Sequence, residues 1–245
     1  MESFVNQPYL EKRRKWASWA SYAGLAALFV GMLTASKSIL ISYLFLVIGV
    51  ITASIGAYLS NRYIKEPRAD QVLDKQLEAL DKRYAVYNYY LPAPHVIASH
   101  YGLTVVLPRP QKGQVTYSNG KWQHRERWRV FTQFFGAPNI GKPELSLAEE
   151  IAPTQEWINA ALPGEEPVPV TGLVLFTDAT VQLEAKEAPV VALKSDALAS
   201  YMREGLKGQT VLSTARQKEL RRLLDSVVQA TDARSAAKPK RKARS

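Results

Sequence analysis

Two uncharged apolar runs near the start of this chain constrain it more than anything else in the sequence. Residues 16–35 (WASWASYAGLAALFVGMLTA) and residues 39–59 (ILISYLFLVIGVITASIGAYL) hold no Asp, Glu, Lys, Arg or His, and only Ser36, Lys37 and Ser38 separate them. Crossing a hydrocarbon core of ~30 Å takes ~20 apolar residues in a helix, which satisfies its own backbone groups where water cannot. Two antiparallel spanning helices joined by a minimal turn are therefore expected over residues 16–59. The competing arrangement is a buried hairpin in a water-soluble protein. It requires a large surrounding core, because helices apolar on every face must be covered all round, and the rest of a 245-residue chain is too short to supply one.

Charges flanking the runs set the expected orientation. Lys12, Arg13, Arg14 and Lys15 precede the first run, Arg62, Lys65 and Arg68 follow the second, and the turn carries only Lys37. Positive charge is retained on the cytoplasmic side, so both termini are expected in the cytoplasm at the inner membrane. Residues 1–15 have the basic character of a signal-peptide leader, but the apolar run exceeds the usual signal length and a second follows at once, which favours an uncleaved anchor. Ala23, Ala27, Gly31 and Ala35 on the first helix, and Gly49, Ala53 and Ala57 on the second, recur every fourth position. Small residues at this spacing let helices approach closely, either within the hairpin or between two copies. Neither run carries a buried titratable group of the kind that marks ion or proton paths, so the hairpin reads as an anchor.

The remaining chain is enough for one domain with short tails. A formal net charge of +10 points to anionic partners, part of it bordering the membrane. The absence of cysteine excludes disulfides, thiolate metal sites and cysteine nucleophiles. After a linker at residues 60–68, an apolar stripe at Leu73, Leu77 and Leu80 predicts a helix. Strands are expected at residues 84–91, 95–99, 103–107, 114–118 and 128–135, punctuated by Pro and Gly. A helix over residues 145–162 contains Pro153, which predicts a kink or reset. Apolar strands at residues 168–177 and 188–194 precede helices at 195–206 and 214–230, the last capped by Ser213 or Thr214. Residues 231–245 lack the apolar content to fold and read as a disordered basic tail. The expected class is a membrane-anchored α/β protein, with a mixed-sheet α/β sandwich following the transmembrane hairpin.

In the domain expected over residues 69–230, the order of elements from about Ala69 to Leu224 resembles the nuclease-related domain called NERD, a bacterial branch of the restriction-endonuclease-like superfamily. The landmarks are Leu77 and Leu80 in the first helix, HVIASHYGLTVVL around Gly102, Gly113, a strand ending at Trp122, Gly141-Lys142-Pro143 before the next helix, and VTGLVLFTDATVQLEAKEAPVVALKSDALASYM. The resemblance implies a restriction-endonuclease-like fold. Active relatives carry an early acid, a hairpin Asp and a Glu-x-Lys pair. In them, carboxylates hold a divalent cation that activates water while the lysine stabilises charge on phosphate. In this chain those positions fall on Asp70, Pro94, Leu107 and Arg109, and Ser146 stands where relatives often place Gln. Proline and leucine supply no side-chain ligand, so the resemblance implies a dismantled metal site and no cofactor. His95 is a conceivable substitute ligand, but His100, an odd number of residues on, leaves a straight strand on the opposite face.

A second acidic constellation, Asp178, Glu184 and Lys186 in FTDATVQLEAKEAP, spells an acid followed by Glu-x-Lys. With Asp70 it defines the alternative reading, an active Mg²⁺- or Mn²⁺-dependent nuclease with relocated acids. No phosphate-cradling glycine loop, zinc-spaced histidine set or nucleophile elbow is present. Two basic stretches are candidates for nucleic-acid or anionic-lipid contact. Lys121, Arg125, Arg127 and Arg129 share one face if they lie on a strand, and Lys238, Lys240, Arg241, Lys242 and Arg244 fill the tail. The leading expectation is a catalytically degenerate, membrane-anchored binding or scaffold module. A membrane assembly protein contacting only lipid is the third reading.

Overall fold

A computed structural model describes residues 1–126 and 139–237. The strand expected at residues 128–135 lies outside the described residues, as do Arg127, Arg129 and the tail positions Lys238, Lys240, Arg241, Lys242 and Arg244.

The first departure from expectation is at the start of the chain. Residues 1–15, expected as a basic leader, carry regular structure: Glu2–Val5 is a strand, β1, and helix α1 (Gln7–Thr34) begins directly after it. β1 pairs in parallel with β2 (Ala85–Asn88), and Phe4 stacks on Tyr87 at 5.1 Å between ring centroids. The hairpin of α1 and α2 (Ile39–Tyr63) is thus inserted between the first strand of the sheet and the rest of the domain. Chain entering and leaving the hairpin belongs to the same folded body.

Both helices are long and apolar enough to cross a membrane, and only 17% of each apolar window is buried. A hairpin forming the core of a soluble protein would be mostly covered; here Trp19, Tyr22, Leu40 and Tyr43 all point outward. The helices meet along Ala17, Gly24 and Gly31 on one side and Ser42, Gly49 and Gly56 on the other, a seven-residue spacing. Gly31, Gly49 and Ala53 do lie at this contact, whereas Ala23 and Ala35 are exposed. A Cβ at Gly24 would stand 2.5 Å from the Ala53 backbone nitrogen. Gly24→Ala must therefore push the helices apart, with an expected loss of about 1–3 kcal/mol read as a lower unfolding midpoint in detergent. Ala23→Leu should leave that midpoint unchanged, and equal tolerance of both substitutions would refute this interface.

The domain is a mixed α/β sandwich. Its main sheet has six strands in the order β1-β2-β3-β4-β7-β9, with β3 at His95–Ser99, β4 at Gly102–Arg109, β7 at Val170–Phe176 and β9 at Val191–Lys194. β2, β3 and β4 are antiparallel, while β4, β7 and β9 run parallel. Alternation along the strands produces two cores. Val86, Ile97, Val106 and Leu175 face Leu73 and Leu77 of α3 (Ala69–Leu77) together with Leu198 and Met202 of α5, a helical stretch over residues 195–205. Tyr87, Val96, Val105 and Val174 face Leu147 and Ile158 of α4 (Pro143–Ala161), and Leu220 and Leu224 of α6 (Thr214–Ala236).

A smaller sheet places β5 (Gln114–Ser118) between β6 (Lys121–Arg125) and β8 (Gln182–Glu184). Helix α4 continues through Pro153 without a break, and α6 extends to Ala236, so the tail expected from residue 231 is helical over its first residues. Ser213 is the cap of α6 and accepts from the Arg216 N–H.

The linker expected over residues 60–68 is shortened to residues 64–68, because α2 runs to Tyr63 and α3 starts at Ala69. A cluster of Leu10, Tyr63 and Tyr89 joins the hairpin foot to the sheet, with Tyr9 stacked on Tyr89 at 5.6 Å. The Asn6 side chain donates to the Tyr89 carbonyl (3.0 Å) and accepts from the Tyr9 N–H, capping α1. Arg14 donates through Nε to the Tyr63 carbonyl. Apolar packing and satisfied backbone groups on both sides of the joint make the foot a docked element and not a loose tether.

Candidate functional site

The joint encloses a pocket of about 130 Å³ beside the last turns of α2. Its walls are Arg62 from α2, Arg68 at the entry to α3, His95 at the start of β3, and Leu107 and Arg109 at the end of β4. It lies at the carboxyl ends of the parallel pair β4 and β7, where Thr177 donates its backbone N–H to the Arg109 carbonyl at 2.9 Å. Ligands of open α/β sheets collect at this end because the loops diverge there.

Leu107 and Arg109 line the pocket directly, while Asp70 and Pro94 are next in sequence to the lining residues Ala69 and His95. None offers a free ligand. Asp70, only 2% exposed, is held by the Arg68 guanidinium through both oxygens, at 3.0 Å from Nε and 2.8 Å from Nη2. Pro94 contributes its carbonyl, which accepts the Tyr89 N–H. Leu107 belongs to the apolar core. Arg109 brings positive charge, and its buried Nε has no hydrogen-bond partner among the described residues. Burial pushes its pKa down from the ordinary arginine value, opposed by the charge of Glu150. Burial likewise raises the Glu150 carboxyl, with Arg62 and Arg109 pulling the other way. The four positions do not fit a divalent cation: Asp70, the one acid among them, is already neutralised by Arg68, and Arg109 would repel a cation.

His95 is buried, and its Nδ1 is 2.7 Å from Asn88 Oδ1. That partner assigns the Nδ1 proton to the histidine. Burial, with the Arg62 charge acting in the same direction, pushes its pKa down to about 3, so the ring is neutral near pH 7.

The second constellation does not assemble. Asp178 follows β7, where it accepts from the Thr180 N–H and hydroxyl and pairs with Lys112 at 3.6 Å. Although burial pushes its carboxyl up, those hydrogen bonds and Lys112 hold it below the usual value. Glu184 is exposed on β8 in the smaller sheet, and Lys186 is exposed just beyond it. Among the described residues, no group of three or more His, Asp or Glu side chains is placed to hold a metal ion, so Asp70, Asp178 and Glu184 do not form one together.

On β6, Lys121 and Arg125 are both exposed and share one face, as strand alternation requires. Trp122, between them, turns inward: its indole N–H donates to Glu144 at 2.8 Å and its ring packs on Tyr117 and Phe176. It is a structural residue, not a stacking platform. Arg62 and Arg68 were legible in the sequence only as membrane-flanking charge. The one local hint of another role was an arginine two residues before an acid at a helix start.

Compared with protein-family models, curated proteins and solved structures, the chain matches none.

Proposed function

We propose that this protein is a membrane-anchored domain of the nuclease-related, restriction-endonuclease-like type, catalytically degenerate, which acts as a nucleic-acid-binding or scaffold module. The hairpin is its anchor, and the positive-inside distribution of Arg14, Arg62 and Lys65 against the lone Lys37 supports a cytoplasmic domain with both termini on the cytoplasmic side of the inner membrane. The observation that carries the reading is the pocket: Asp70 is occupied by Arg68, and Leu107 and Arg109 stand where active relatives place the acid and lysine. A binding role is supported by the exposed Lys121 and Arg125 and by a net charge of +10.

The test uses the full chain in detergent micelles with short duplex DNA and RNA. Affinity should fall steeply with salt. Joint replacement Lys121→Ala and Arg125→Ala should reduce the log–log slope by roughly two, since each phosphate contact contributes about 0.9 on B-DNA. Incubation with Mg²⁺ or Mn²⁺ should leave both nucleic acids intact. Metal-dependent cleavage abolished by Glu184→Ala would overturn the proposal in favour of a relocated nuclease. Loss of all nucleic-acid binding, with anionic vesicles still bound, would leave a membrane assembly protein.

A further inference from the structure

The pocket at the hairpin foot carries an inference that goes beyond nucleic-acid binding, resting only on the membrane-anchored part of that reading. Three arginines border it, but they are not equivalent. Arg68 is neutralised by Asp70 and also reaches Glu66 at 3.4 Å. Arg109 and Arg62 form no ion pair among the described residues; Arg62 contacts the Tyr58 hydroxyl at 3.4 Å and lies 5.8 Å over the Tyr63 ring, neither of which offers it a full negative charge, and Arg109 has the unpartnered Nε. Among the described residues, Glu150 is an acid whose charge acts on both, and its buried Oε2 is itself without a hydrogen-bond partner. Two guanidinium groups thus border a small concavity with donor capacity unspent. Guanidinium forks match the tetrahedral oxygens of phosphate particularly well.

Size and depth narrow the ligand. A volume of about 130 Å³ admits a phosphate group but is well below the ~300–1,000 Å³ of pockets that enclose whole small molecules. Arg62 lies three residues past Leu59, the last residue of the apolar run. At ~1.5 Å per helical residue it stands ~4.5 Å beyond the hydrocarbon edge. The headgroup layer on each side is ~5–7 Å deep, so Arg62 is level with lipid phosphates.

We infer that this pocket binds a phosphate group, presented by an anionic lipid headgroup or by free phosphate, between Arg62 at its mouth and Arg109 on its inner wall. His95, whose Nδ1 is fixed by Asn88, lines one wall, and Leu107 closes the apolar side. Glu150 is the opposing charge that limits affinity.

The experiment uses the full chain in maltoside micelles, which contain no phosphate, with the unfolding midpoint followed at constant ionic strength. Inorganic phosphate is titrated in one arm and phosphatidic acid is added to the micelles in the other. Saturable stabilisation is expected in at least one arm, and the arm that saturates at the lower concentration identifies the source. Arg109→Gln and Arg62→Gln should each weaken the response about tenfold or more. Glu150→Gln should tighten it, a change of opposite sign that does not depend on the arginine variants folding. No saturable response in either arm, an unchanged affinity in folded Arg109→Gln, or no gain in Glu150→Gln would overturn the inference. Co-flotation with phosphatidylcholine vesicles is measured in parallel. Its loss would count against the anchor alone, so the two failures remain distinguishable.

Discussion

Replacing Arg68 with leucine is expected to destabilise the full chain by about 3–5 kcal/mol, because it leaves the Asp70 carboxylate buried without its counter-charge. Asp70 is 2% exposed, Arg68 is 9% exposed, and both carboxylate oxygens are engaged by the one guanidinium. Asp70→Leu should be costly for the mirrored reason, although Glu66 retains part of the Arg68 charge at 3.4 Å. The double replacement should recover most of the loss, since exchanging a buried pair for apolar groups is often close to neutral. Unfolding of the four proteins in detergent closes the cycle. Single losses below about 1 kcal/mol that simply add would show that the pair is not buried in the sense argued. The same cycle bears on function. If Asp70 were a metal ligand, Arg68→Leu would free it, and Mn²⁺ would then stabilise the variant more than the wild type. The pocket composition predicts no such gain.

Acidification should weaken the protein through His95. The unfolded histidine has the ordinary value of 6.5, whereas in the fold burial holds it at about 3. The unfolded state therefore takes up the proton first. The stability contributed by the neutral ring is fully present above the unfolded value and is lost as pH falls below it towards the folded one. Between pH 7.5 and pH 4.5 the loss should reach roughly 3 kcal/mol. His95→Gln keeps an amide that can donate to Asn88 and has no such titration, so its stability should be flatter across that interval even if lower at pH 7.5. Burial also lowers His100, which leaves a shallower residual slope in both proteins. Parallel acid profiles of wild type and His95→Gln would contradict this account.

Much of the fold could be read from local pattern. The strands at residues 95–99 and 114–118 and the helices beginning near residues 69, 195 and 214 follow from apolar periodicity, Pro and Gly punctuation and a serine cap. The candidate site was legible only in part. Leu107 and Arg109 were marked by their place relative to Gly102 and Gly113, but Arg62 and Arg68 carry charge that the membrane boundary alone would account for. Trp122 lies between Lys121 and Arg125 in sequence, and its inward hydrogen bond to Glu144 is invisible without the fold. Pro153 lies inside the continuous helix α4, whose Leu147 and Ile158 pack into the core on either side of it.

The sequence by itself determined that two helices of this chain are long and apolar enough to cross a membrane, that a mixed α/β domain accompanies them, and that neither apolar run holds a titratable group. Those properties depend on length, composition and period, which are local. Only the tertiary structure decided that the hairpin is an insertion into the sheet and not an appended leader, because β1 finds its partner more than eighty residues away at Ala85–Asn88. It also decided that Asp70 is bound by Arg68, that Asp70, Asp178 and Glu184 form no metal-holding group among the described residues, and that Arg62 and Arg109 flank one pocket. A charge acquires its role from what lies within a few ångströms of it, and for these residues those neighbours come from distant parts of the chain.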